Sequence, residues 1–91
     1  MRVPVRGEAG VPGNATAVIA NVTAAGAHGF GFLTVFPTGV AVPSSSNVNY
    51  QWAGQNVPNL VMVKLGADGS ISVRGGEAPA NVVVDVFGYV T

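Results

Sequence analysis

Glycine and proline are spread so evenly along this chain that no helix of ordinary length fits between them. The 91 residues include 13 glycines and 6 prolines. No uninterrupted stretch keeps apolar residues at helical spacing for more than about ten residues. Between these breaks lie short runs of β-branched and aromatic residues, which are typical of the strands of a sandwich or barrel. The sequence therefore predicts an all-β chain without a substantial helix.

The turn signals divide the chain into about seven strands. We expect them over residues 3–6, 16–24, 30–36, 47–52, 60–65, 70–74 and 81–90. The Asp68-Gly69 pair is a strong turn signal, so the fifth and sixth strands are expected to form a β-hairpin. A final strand that is apolar on both faces favours two packed layers. The predicted fold is one small antiparallel β-sandwich over residues 1–91, immunoglobulin-like or jelly-roll-like.

Charge and cysteine content exclude several classes of function. Four basic and four acidic residues cancel, and charged residues make up only 9% of the chain. Such a chain offers no basic surface for nucleic acid or anionic membranes. With no cysteine, it has neither disulfides nor a thiolate metal site. Neither a membrane span nor a signal peptide is expected, and the weak charge repulsion favours self-association.

The fourth predicted strand carries a polar row that is the best candidate for a binding strip. Strand alternation places Val48, Tyr50 and Trp52 on one face, and the opposite face carries three amide side chains. These are Asn47, Asn49 and Gln51. The row is suited either to an uncharged ligand or to pairing of an edge strand with another copy.

Carbohydrate binding needs flat aromatic faces together with amide or carboxylate groups. Trp52 and Tyr89 are candidates for the aromatic faces, and Gln55 adds an amide to the row on the fourth strand. For Trp52, a core position between the two sheets is favoured over an exposed platform. Tyr50 is expected in the core for the same reason.

Asp85 interrupts a valine-rich strand, where an unpaired buried carboxylate would be costly. Asn21, Asn49, Gln55 and Asn59 are available polar partners. We interpret Asn21, Asn59 and Asp85 as a structural polar network, in preference to a cluster that orients a ligand.

No pattern in the chain indicates catalysis, a metal or a cofactor. Glu8, Asp68 and Glu77 lie in glycine-rich turns, where a solvated carboxylate is the expected state. His28 is the single histidine, and no strained elbow motif surrounds Ser44–Ser46 to supply a nucleophile. A zinc site would lack ligands, and the acidic spacing matches no calcium loop.

Five blocks of sequence share their order and approximate spacing with a known kind of module. They are Val11–Val18 with Asn21–Ala24, Gly31–Pro37, Ser46–Tyr50, Gly54–Val61 and Val82–Tyr89. Together they span nearly the whole chain, and they resemble the small all-β, repeat-like accessory module of secreted actinobacterial cell-surface proteins and hydrolases. Such modules usually carry a further N-terminal segment similar to Arg-Val-Leu-Asp-Thr-Arg, and this chain begins after it.

The resemblance implies a non-catalytic role outside the bacterial cell or on its surface, with the export signal outside this chain. It also implies adhesion, with polysaccharide or cell wall as the ligand. We therefore expect an extracellular binding module. The alternative is a structural module that packs on copies of itself or on neighbouring domains.

Overall fold

The computed structural model describes all residues from Met1 to Thr91 and shows seven β-strands. They are β1 Arg2–Pro4, β2 Ala17–Ala25, β3 Gly31–Pro37, β4 Val48–Tyr50, β5 Val57–Lys64, β6 Ser70–Glu77 and β7 Asn81–Val90. A four-stranded sheet has the order β1-β6-β3-β4 and a three-stranded sheet the order β5-β2-β7. All neighbouring strands are antiparallel. The predicted all-β sandwich is confirmed, and no helix has the length and apolarity of a membrane span.

The chain changes sheets at almost every connection. Only β3 and β4 are both consecutive in sequence and paired with each other. The first strand pairs with β6, so the strand order differs from that of an immunoglobulin domain, where the first two strands are neighbours. Stability therefore depends on contacts between residues far apart in sequence.

The predicted hairpin at Asp68-Gly69 is wrong, although the turn itself is present. The Gly69 N–H donates to the Gly66 carbonyl over 2.9 Å. The flanking strands lie in different sheets, because β5 pairs with β2 from Ala17↔Lys64 to Ala24↔Val57, while β6 pairs with β1 and β3. The turn reverses the chain, but burial of the apolar faces decides which strands pair.

The core between the sheets is built mainly of valine and alanine. The inward face of β2 carries Val18, Ala20, Val22 and Ala24, each fully buried. The opposite sheet contributes larger buried side chains, which are Leu33, Tyr50 and Ile71. The alternation predicted for β2 is confirmed, as is that of Val48 and Tyr50 in β4. Each fully buried valine or leucine side chain contributes about 1.5–3 kcal/mol relative to an exposed one.

The final strand has one covered face and one bare face. Val82, Val84 and Val86 pack against the core, whereas Val83 and Phe87 are exposed on the opposite side. β7 lies at the edge of its sheet with nothing packed on its outer side. Exposure also removes the cost expected for Asp85, whose side chain is in solvent.

Asp68 holds the turn between β5 and β6 to the start of the chain. Its Oδ1 accepts hydrogen bonds from Ser70 N over 3.1 Å and from Ser70 Oγ over 2.5 Å. Its Oδ2 accepts from Arg2 Nε over 3.0 Å. The Ser70 hydroxyl, followed by Arg2, lowers the pKa of Asp68 from 3.8 to about 2. The folded state therefore favours the charged carboxylate.

The linkage of this pKa to folding predicts a loss of stability in acid. Because the folded pKa lies below the unfolded one, the contribution of Asp68 is complete above about pH 4 and disappears as the pH falls towards 2. We expect the melting temperature of Asp68→Asn to vary less with pH over this window than that of the wild type. Thermal unfolding monitored by circular dichroism measures this. Glu8→Gln is the matched control, and an equal flattening by Glu8→Gln would contradict the assignment.

Candidate ligand-binding site

The outer face of the four-stranded sheet carries the candidate site. In β3, alternation directs Leu33 and Val35 into the core and Phe32 to the outer face. Phe32 lies opposite Asn49 on one side and Gly76 on the other. One row across three strands therefore presents an amide, an aromatic ring and a glycine.

Gly76 makes room for the Phe32 ring. A Cβ atom at Gly76 would lie 2.6 Å from Phe32 Cε1 and 2.7 Å from Cε2, which is far inside van der Waals contact. The ring therefore lies over the glycine backbone, an arrangement in which an aromatic residue covers a glycine in a sheet. The residue is half-buried, so part of its side chain remains accessible to solvent.

The loop from Thr38 to Asn47 covers the rest of this face. Thr34 Oγ1 donates to the Ser45 carbonyl over 2.9 Å, and Thr34 is 3% exposed. Between the loop and β6 a groove of about 350 Å³ remains open. We call it the Phe32 groove; its lining residues are Phe32, Thr34, Val42, Pro43, Ser44, Arg74, Gly75 and Gly76.

The polar groups around the ring are mainly hydrogen-bond donors. Asn49 is exposed, and its Oδ1 already accepts from Ser46 Oγ over 2.9 Å, which leaves the two N–H groups of Nδ2 for a ligand. The Arg74 guanidinium, in register with Thr34, is exposed and has no ion-pair partner. An apolar ring face flanked by such donors is suited to a sugar ring with its hydroxyl groups.

The predicted polar row is only partly a surface feature. Asn47 has a structural role, because its Oδ1 accepts from Val35 N over 2.7 Å and continues the sheet beyond β4. The strand ends at Tyr50 because Gln51 N donates to Gln55 Oε1 over 2.5 Å and the chain turns. Of the row, Asn49 adjoins the groove, while Gln51 and Gln55 lie in the following loop.

The core position predicted for Trp52 is wrong. Its side chain is 61% exposed, since the chain turns away from the sheet after Tyr50. Phe30, one residue before β3, is 65% exposed at the same end of that sheet. Tyr89 lies in β7 of the other sheet, where it is in register with Val18. The structure therefore does not place Tyr89 with the other predicted ligand-binding residues.

Of Asn21, Asn59 and Asp85, which were predicted to form a structural polar network, only Asn59 makes a side-chain hydrogen bond. Asn59 Nδ2 donates to the Asn47 carbonyl over 2.6 Å and ties β5 to the start of β4. Asn21 and Asp85 are in register on β2 and β7. Neither side chain takes part in a hydrogen bond, because both lie on the outer face, where water replaces protein partners.

Three loops meet at the end of the sandwich that adjoins Asn49. The Gly54 N–H donates to the Ala27 carbonyl over 2.6 Å, and the His28 N–H donates to the Pro79 carbonyl over 2.9 Å. Tyr50 Oη donates to the Ala78 carbonyl, and burial raises the pKa of this phenol. His28 is exposed, and no three His, Cys, Asp or Glu side chains are grouped to share a metal ion.

Phe32, Gly76 and Arg74 are site residues that were not predicted from the sequence. Strand alternation could have indicated Phe32, because Phe30 and Phe32 share one face of the strand while Leu33 and Val35 share the other, buried face. Gly75 and Gly76 were interpreted as a loop, whereas β6 continues to Glu77. Side chains of the neighbouring strand cover these glycines, a contact that glycine propensity does not reveal.

The hydroxyl of Tyr50 is predicted to stabilise this end of the sandwich. Tyr50→Phe should lower the free energy of unfolding by about 1 kcal/mol, because the Ala78 carbonyl loses its donor. Urea unfolding followed by Trp52 fluorescence measures the change. Tyr89→Phe is the matched control and should be close to neutral, since Tyr89 is 46% exposed. Equal effects of the two variants would refute a special role for the Tyr50 hydroxyl.

Comparison with known proteins adds no functional assignment to this geometry. The description of the groove, its ring and its donors rests on the structure of this chain. No family model, curated protein or solved structure matches the chain.

Proposed function

We propose that this chain is a non-catalytic, extracellular carbohydrate-binding module of a bacterial surface protein, with polysaccharide or cell wall as its ligand. The observation that carries the proposal is the half-buried Phe32 ring, which lies against Gly76 and beside Asn49 on the outer face of the sheet. Sugar rings present apolar C–H faces and polar hydroxyl edges, which this pairing of ring and amide complements. The location outside the cell rests on the five sequence blocks.

The charges of the groove support binding in preference to hydrolysis. Glycoside hydrolysis normally uses two carboxylic acids on either side of the scissile bond. No acidic residue lines the Phe32 groove, and the chain has only four acidic residues in all. Trp52 and Phe30, exposed at one end of the same sheet, are further aromatic side chains that a long polymer could contact.

Co-sedimentation with insoluble polysaccharides and purified bacterial cell wall tests the proposal. We expect the wild type to bind at least one of these materials. Phe32→Leu removes the flat ring while keeping an apolar side chain, and Asn49→Ala removes the amide. Each should weaken binding by about tenfold, which corresponds to about 1.4 kcal/mol.

Matched controls separate binding from folding. Phe87→Leu changes an exposed aromatic residue on the other sheet, and Asn14→Ala changes an exposed amide in the turn before β2. Both should bind like the wild type, and circular dichroism should show that all four variants are folded. Failure of the wild type to bind any of the materials, or full binding by Phe32→Leu and Asn49→Ala, would refute the proposal.

A second candidate function is self-assembly through the outer face of the three-stranded sheet. Leu60, Met62 and Phe87 on this face are 58%, 71% and 71% exposed. Exposed apolar surface of this kind is typical of interaction sites. The formal net charge of zero means that two copies do not repel each other strongly.

Sedimentation velocity over a range of protein concentrations tests this candidate without any ligand. The wild type should associate as its concentration rises, and the double variant Met62→Ser, Phe87→Ser should remain monomeric because the apolar contact is lost. Asn49→Ala on the opposite sheet is the control and should associate like the wild type. A monomeric wild type at all concentrations would exclude self-assembly.

A further inference from the structure

A single unpaired positive charge lies at the Phe32 groove. The chain has four cationic side chains. Arg2 is paired with Asp68 over 3.0 Å, and Arg6 donates from Nη2 to the Ala15 carbonyl over 3.0 Å. Lys64 lies at the end of β5 on the other sheet. Arg74 alone is exposed, lacks a protein partner and lines a groove that contains an aromatic ring.

No carboxylate of the chain is placed to neutralise Arg74. Asp68 is held by Ser70 and Arg2, and Asp85 lies on the other sheet. Glu77 lines a separate cleft between the two sheets, and Glu8 lies in the turn after β1. The groove therefore keeps the positive charge of its arginine, although the whole chain has a formal net charge of zero.

The hydrogen-bonding groups beside the ring favour a ligand rich in acceptors. A guanidinium has five N–H donors and no acceptor, and its planar fork matches the two oxygens of a carboxylate. Asn49 Oδ1 already accepts one hydrogen bond from Ser46, and both N–H groups of Asn49 Nδ2 are free to donate to a ligand. A neutral glycan would use these donors only through its hydroxyl and ring oxygens. A uronic acid would also form a charge-assisted pair with Arg74.

We infer that the Phe32 groove recognises an acidic polysaccharide, with the sugar ring on Phe32 and a carboxylate on Arg74. The inference rests on the proposed carbohydrate-binding function and specifies the class of ligand. It makes Arg74 the residue that determines specificity, while Phe32 and Asn49 provide binding to the sugar itself. A long polymer with a carboxylate on each residue meets this requirement wherever it lies in the groove.

Isothermal titration calorimetry with polygalacturonate and its fully methyl-esterified form tests the inference. The two polymers share a backbone and differ in the charge of the carboxyl group. The wild type should bind the acid about two- to fivefold more tightly than the ester, as expected for a solvent-accessible ion pair. Arg74→Gln should bind both polymers equally, and added salt should reduce the preference of the wild type.

The control variant for this test, and the results that would overturn the inference, differ from those that test the proposed carbohydrate-binding function. Lys64→Gln removes another exposed cation, on the opposite sheet, and should keep the preference for the acid. Equal binding of acid and ester by the wild type, a preference retained in Arg74→Gln, or binding of neither polymer would overturn the inference. In each case, loss of polysaccharide or cell-wall binding in Phe32→Leu would still support the carbohydrate-binding module.

Discussion

The packing of the buried face of β2 against the opposite sheet holds this molecule together. Val18, Ala20, Val22 and Ala24 are all fully buried in the centre of the three-stranded sheet. With no cysteine in the chain, no disulfide replaces this packing. The small alanines keep the layers close, so the large side chains of the other sheet, above all Tyr50, fill the space between them.

The outer faces of the two sheets differ in how much of each is covered by a loop. On the four-stranded sheet, the loop from Thr38 to Asn47 covers part of the face and is fixed there by hydrogen bonds to Thr34 and Val35. The part left open contains the Phe32 ring and Arg74. On the three-stranded sheet no loop covers the outer face, and Met62 and Phe87 are exposed. The first face carries a groove with an aromatic ring and a cation, whereas the second carries large exposed apolar side chains.

In the groove, the large side chain of Phe32 on β3 occupies the space left by Gly76 on the neighbouring strand β6. Glycine in the middle of a strand weakens the strand by itself, because it adds no packing and loses much conformational freedom. Here Phe32 supplies the missing contact from across the sheet and is positioned by it. The same contact keeps the ring at the surface, where a ligand can reach it. The contact between Phe32 and Gly76 thus both packs the end of β6 and positions the ring of the candidate site.

The sequence by itself determined the all-β class, the number of strands and which face of β2 and of β4 is buried, because alternation and turn residues act locally. Tertiary structure decided that the Asp68-Gly69 turn joins two sheets, that Trp52 is exposed, and that Asn21 and Asp85 have no hydrogen-bond partner. It also brought Phe32, Gly76 and Arg74 together from two strands that are distant in sequence. Strand pairing depends on burial summed over the whole chain, so the neighbours of a strand, and any site built across them, are not encoded in a local pattern.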